Sequence, residues 1–333
     1  MAYTTINKST DYFNTTLWTG DGNSTQNITG TGFNADFIWL KGRSGAGDHQ
    51  VYDKVRGTQK MLISNGTNAE STNSIGLQTF GSDGFTMGSD MTGNGSTFVS
   101  WNWLANGSGS ANTDGTISST VSANTTAGFS IVKWTGNATS GATVGHGLGA
   151  VPASIWAKSL SSTQKWAIGH HKTYSVNPWN YFTHFDTNES RGEAAGRWNN
   201  TAPTSSVFTI GNDGQVNNNS EDYVAYVFTE KKGFSKFGAY TGNNNSDGNF
   251  IYTGFKPAWF LVKNVTANGE SWHLYDNQRL GRNPDNARLF TNNNAVEAAE
   301  TKIDFLSTGI KIYSSGDGHL NSNAGFMYMA FAA

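Results

Sequence analysis

The segment Gly128-Phe129-Ser130-Ile131-Val132-Lys133-Trp134 alternates, with Phe129, Ile131 and Lys133 on one face and Ser130, Val132 and Trp134 on the other. A period of two is that of an extended strand. Two other stretches, Phe37-Ile38-Trp39-Leu40 and Trp259-Phe260-Leu261-Val262, are apolar without a break. Such runs predict central strands covered on both faces, and Tyr223 to Phe228 reads likewise. Strands recurring every ~8–12 residues between turn residues predict a two-sheet antiparallel sandwich. Helix is expected to be slight, a single turn near Glu297 to Thr301.

The pattern repeats. Thr31-Gly32-Phe33-Asn34-Ala35-Asp36-Phe37-Ile38-Trp39-Leu40-Lys41 returns as Thr253-Gly254-Phe255-Lys256-Pro257-Ala258-Trp259-Phe260-Leu261-Val262-Lys263, with a middle copy at Gly149-Ala150-Val151-Pro152-Ala153-Ser154-Ile155-Trp156-Ala157-Lys158. Trp18-Thr19-Gly20, Trp134-Thr135-Gly136 and Tyr240-Thr241-Gly242 precede them, and aromatic strands ending near Trp103, Phe228 and Phe331 close each copy. Landmarks that keep their order at a fixed period mark internal repeats. The expected fold class is therefore all-β, three tandem antiparallel β-sandwich units of the lectin-like jelly-roll kind, each of about 100 residues. The boundaries are 1–104, 126–230 and 231–333. Residues 105–125 form a Gly/Ser/Asn-rich linker whose composition predicts flexibility and independent orientation of the first unit, with an ordered strand lying along a neighbour as the alternative.

Forty glycines, five prolines and 13% aromatics support this reading. Asp-Gly occurs at Asp21, Asp83, Asp114, Asp213, Asp247 and Asp317, and Asn-Gly at Asn65, Asn94, Asn106 and Asn268. Such pairs predict hairpin turns of type I′. A net charge of −2 with 14% charged residues provides no basic footprint for nucleic acid. No cysteine is present, which excludes thiol chemistry and disulfides. Met1 to Lys8 has neither the basic nor the apolar region of a signal peptide, and no apolar run nears the ~18 residues needed to cross a bilayer. The expectation is a soluble protein made in a cytoplasm, without membrane insertion.

Catalytic signatures are weak. Glycoside hydrolysis needs two facing carboxylates about 5 Å apart or somewhat farther, and no Glu-x-Asp-x-Glu strand provides them. Glu189 and Glu193 fall in a polar stretch expected to be an exposed loop. His146, His170 and His171 lack the spacing of a metal site, and adjacent strand residues face opposite ways. Gly145 to Gly149 lacks the Lys-Ser/Thr of a phosphate loop, and no Gly-x-Ser-x-Gly elbow is present. We expect no enzyme, no catalytic residue, no cofactor and no metal. Tyr52-Asp53 with Arg56 and Tyr275-Asp276 with Arg279 predict ion pairs that fix a loop. A Ca²⁺ or sugar role for these Asp residues, or for Asn243 to Asn249, is the lesser alternative. Trp179, Tyr181 and Trp198 lie in irregular segments and are the candidates for a contact surface.

The passage Asn112-Thr113-Asp114-Gly115-Thr116-Ile117 to Gly147-Leu148-Gly149 resembles proteins of marine tailed bacteriophages. So do Tyr252-Thr253-Gly254-Phe255-Lys256-Pro257-Ala258-Trp259, Asp304-Phe305-Leu306-Ser307 and Tyr328-Met329-Ala330-Phe331. These are virion structural or tail-fibre-like proteins with repeated concanavalin-like domains. The resemblance covers most of residues 10–333 and transfers no catalytic residue. It implies a virion location, as a capsid decoration, head-fibre or tail appendage protein. Implied partners are other capsid or tail proteins and further copies of the chain, with a trimer as one form. The alternative is a lectin-like adhesin for host surface polysaccharide.

Overall fold

The computed structural model describes residues 4–280, 283 and 286–333; Met1, Ala2 and Tyr3 of the stretch read for a leader lie outside them. The fold is all-β and antiparallel, and among the described residues no helix is long and apolar enough to cross a membrane. Three six-stranded sheets dominate, with the same four strands in the same order in each. In the first they are Phe13–Thr19, Thr97–Trp103, Phe37–Gly42 and Gln50–Asp53. In the second they are Phe129–Thr135, Asp222–Phe228, Ser154–Ser159 and Ala167–His170; in the third, Ser235–Thr241, Gly325–Phe331, Trp259–Asn264 and His273–Asp276.

The unbroken apolar runs are explained by burial on both faces. In Phe37–Gly42, Phe37 and Trp39 face an inner core, while Ile38 and Leu40 meet Ile28, Phe85 and Met87 on the outer side. A three-stranded sheet, Thr25–Thr29, Gly84–Gly88 and Leu77–Gly81, covers that outer face. Phe250–Tyr252, Gly309–Ile312 and Ile303–Leu306 do the same for the third sheet.

The inner faces do not form separate cores. The closing strands end at Trp103, Phe228 and Phe331, and these three rings meet one another: Trp103–Phe331 at 5.6 Å, Phe228–Phe331 at 5.9 Å and Trp103–Phe228 at 6.4 Å. Phe13, Phe37, Phe129, Trp156, Phe237 and Trp259 surround them in one contiguous cluster. Aromatic rings are the largest apolar groups a strand can present, and edge-to-face contacts add to their burial.

Residues 105–125, expected as a flexible linker, carry the strands Ser110–Asn112 and Ser119–Asn124. Ser119–Asn124 pairs along Phe129–Thr135, and Ser110–Asn112 pairs outside it. Composition suggested freedom, but the edge of the second sheet offers unpaired N–H and C=O groups that an extended chain satisfies. The first sheet is therefore not independently oriented. Two further expectations fail. The stretch near Glu297 contains the strand Ala298–Glu300, and the one α-helical turn among the described residues is Ala195–Trp198. None of the ten Asp or Asn residues preceding Gly has positive φ, although Gly22, Gly84, Gly95, Gly107 and Gly269 do. Type I′ turns need both, so these pairs close other loops.

Candidate functional site

The strand register places Asp53, His170 and Asp276 at the same position of their sheets, opposite Phe37, Ser154 and Trp259. Each reaches the next sheet. Asp53 Oδ2 accepts the Tyr226 hydroxyl at 2.7 Å, and Asp276 Oδ2 accepts the Trp101 indole N–H at 2.9 Å. His170 Nε2 lies 3.2 Å from the Tyr328 carbonyl, and His171 Nε2 lies 2.9 Å from that of Phe237. The contacts run first to second, second to third and third to first, a closed ring. The strand ends at His170, so alternation no longer separates the two histidines, and both dock on the third sheet.

The expected ion pairs are present and buried. Arg56 Nε meets Asp53 and its Nη1 meets Glu70 at 3.1 Å, while Arg279 Nε meets Asp276 at 2.6 Å and its Nη1 meets Glu297 at 3.0 Å. They close the boundaries between sheets rather than fixing a local loop alone. Glu297 also takes Arg43 of the first sheet at 2.8 Å. The Ca²⁺ alternative has no support at Asn243–Asn249, where Asp247 pairs with Lys311 Nζ at 2.6 Å. Among the described residues no group of three or more His, Cys, Asp or Glu is placed to hold a metal.

Lys41, Lys158 and Lys263 share a further repeated position, fully buried at the end of the central strand. Their amines donate to backbone carbonyls: Lys158 to Thr67 of the first sheet at 3.0 Å, Lys41 to Gly42 at 2.7 Å, Lys263 to Glu270 at 2.9 Å. Burial pulls all three down from the ordinary lysine value to about 8. The repeat alignment already carried the signal, a lysine after each central apolar run.

Trp179 and Trp198 are 5% and 1% exposed and pack edge to face at 5.9 Å, so the contact surface expected of them does not exist. Their position has a physical reason. Where the first and third sheets carry Tyr52 and Tyr275, the second carries Gly169. A methyl group there would lie 2.5 Å from the Trp179 ring and 2.9 Å from Trp198. The two indoles fill an outer face that the short sheet Ala142–Gly145 with Val207–Ile210 leaves uncovered. Tyr181 alone of the three candidates is half-buried, packed against Tyr174 at 4.7 Å. Glu189 is exposed and pairs with Lys165 at 2.9 Å; Glu193 is exposed in the short strand Gly192–Glu193. His146 is buried against the Thr204 carbonyl.

On the first sheet the three-stranded cover leaves part of the outer face open. A cleft of about 680 Å³ lies between the loop at Gly42–Asp48 and the turn Ser89–Met91. Met61, Met91 and Phe98 form its apolar part. Beneath it, Tyr52 donates to Gln50 Oε1 at 2.8 Å, and Gln50 and Asn73 both donate to Asp90 Oδ2 at 2.6 Å. Burial holds the Tyr52 hydroxyl well above its ordinary pKa, so it stays a donor. A relay of amide, carboxylate and hydroxyl groups, locked by mutual bonds beside apolar surface, is suited to a neutral, hydroxyl-rich ligand. On the third sheet the equivalent face is closed by side chains: His273 stacks on His319 at 4.5 Å, and Tyr275 donates to Glu300. Sequence reasoning missed Gln50, Asn73 and Asp90 because they are ordinary polar residues brought together from three loops and strands.

Three sheets closed on one core define an all-β scaffold, with an open polar cleft on the first sheet. Residues 8–333 match the family described as Domain of unknown function (DUF7483), and the chain belongs to that family. No curated protein and no solved structure matches it.

Proposed function

We propose that this chain is a structural protein of a bacteriophage particle, acting as a capsid decoration, head-fibre or tail appendage rather than as an enzyme. The observation that carries the reading is the continuous aromatic core of Trp103, Phe228 and Phe331, which joins three sheets into one rigid body. Buried charges support it. Asp53, Asp276, Arg56 and Arg279 are committed to holding sheets together, as suits a scaffold. The resemblance noted in the sequence adds the particle. Location in the virion, docking on capsid or tail proteins and assembly with further copies, a trimer among the forms, belong to this proposal. Mass spectrometry and cryo-EM of purified particles test it: the chain is expected in stoichiometric copies on the surface, and particles free of it would refute the reading.

A second reading, a lectin-like adhesin for host surface polysaccharide, is favoured by the cleft over Gln50, Asn73 and Asp90. On a glycan array, Asp90→Ala is expected to abolish binding of neutral glycans. Unchanged array signals for Asp90→Ala would remove this site.

A further inference from the structure

The boundaries between sheets differ in how they treat their cations. Between the first and second, Arg56 meets Glu70; between the third and first, Arg43 and Arg279 both meet Glu297. Between the second and third, Lys172 and Arg191 line a cleft of about 370 Å³ that no carboxylate lines. Neither makes an ion pair among the described residues. Glu230 beside this boundary is taken by Lys236 at 3.0 Å, and Glu193 accepts the Tyr181 hydroxyl.

The same cleft is rich in ring surface. The Arg191 guanidinium lies 4.5 Å from the Tyr174 ring centre and 5.6 Å from that of Tyr181, while its Nη1 donates to the Val265 carbonyl at 3.2 Å. Stacking and that hydrogen bond fix a group that would otherwise sweep a large volume. Tyr174 is 38% exposed, and Tyr240 stands on the opposite wall from the strand Ser235–Thr241. Two cations with free donors beside the exposed Tyr174 ring match a pyranose ring that bears a carboxylate. Guanidinium and ammonium groups bind the carboxylate by charge-assisted hydrogen bonds, and the apolar face of the sugar stacks on tyrosine. A bare phosphate would use the charges and leave the rings idle.

We infer that this cleft binds an acidic sugar residue of the uronic acid class, with Lys172 and Arg191 taking the carboxylate and Tyr174 stacking on the ring. The inference deepens the glycan-binding reading and rests on it. Its site is separate from the neutral cleft of the first sheet.

Isothermal titration with a trigalacturonate and with the same trisaccharide reduced at its carboxyls tests it. The wild-type chain is expected to prefer the acidic form by about tenfold or more, the equivalent of about 1.4 kcal/mol, and to lose that preference as NaCl is raised. Lys172→Gln with Arg191→Gln is expected to abolish the preference, and so is the charge reversal Lys172→Glu, which leaves the stacked arginine in place. Lys8→Ala, outside both clefts, is expected to leave it intact. Equal affinity for the two trisaccharides, or acidic binding unchanged in both variants, would overturn the proposal. Binding of neutral glycans alone, lost in Asp90→Ala, would overturn it and leave the glycan reading standing. Silence of the wild-type chain towards acidic and neutral glycans alike would refute both.

Discussion

Trp101 of the first sheet donates its indole N–H to Asp276 of the third at 2.9 Å, inside the protein and away from solvent. Asp276 also holds Arg279, whose guanidinium lies 5.6 Å from the Trp101 ring centre. Removing one partner leaves the other charged and buried without compensation, which costs about 3–5 kcal/mol. Arg279→Met is therefore expected to lower the stability of the whole chain by that amount in urea denaturation. Lys8→Ala, which breaks an exposed pair with Asp11, is expected to change it by less than about 1 kcal/mol.

The central rings give a second prediction. Trp103 touches Phe13, Phe228, Trp259 and Phe331 from three sheets. Trp103→Ala is expected to cost about 3–5 kcal/mol. Hydrogen exchange should show protection lost in all three sheets together. Loss confined to residues 13–103 would contradict a shared core.

Stability should depend on pH in two windows. His49, His170 and His273 are held well below the ordinary histidine value by burial, and His184 is pushed down to about 4. Below pH 6.5 the unfolded chain binds protons that the folded chain refuses, so stability falls as pH falls from 6.5 towards 4. Asp186, raised to about 6 by burial, opposes this in part. Lys41, Lys158 and Lys263, lowered to about 8, act higher up. Between pH 8 and 10 the folded chain has shed protons that the unfolded chain keeps, so stability rises with pH, by at most about 3 kcal/mol per lysine. Urea midpoints across this range check both slopes, and Lys158→Met is expected to flatten the upper one.

Gly169 supplies a packing test. Gly169→Ala pushes a methyl group into Trp179 and Trp198, and overpacking of this kind costs about 1–3 kcal/mol. Trp198→Ala is expected to cost about 3–5 kcal/mol and to leave glycan-array signals unchanged, because the ring is 1% exposed. Thermal unfolding of the two variants measures the first effect, and the array measures the second.

Much of the fold could be read from the chain. The runs at Phe37 and Trp259 located central strands, and Asp53-Arg56 and Asp276-Arg279 were recognisable as ion pairs. What each pair joins was not legible. A repeat that buries its inner face against two neighbours has the same apolar pattern as one that buries it against its own second sheet. Trp103, Phe228 and Phe331 therefore looked like the cores of separate sandwiches. Gly/Ser composition likewise concealed the strand Ser119–Asn124, because pairing on an open sheet edge depends on geometry more than propensity. Trp179 and Trp198 were misplaced for a similar reason: irregular backbone does not imply exposed side chains. The missing small-sheet strand that they replace became apparent only beside Gly169.

Scanning calorimetry of the full chain tests the shared core most directly. One cooperative transition, with a calorimetric enthalpy equal to the van't Hoff enthalpy, is the predicted result. Separate transitions for the segments 1–104, 126–230 and 231–333 would contradict it.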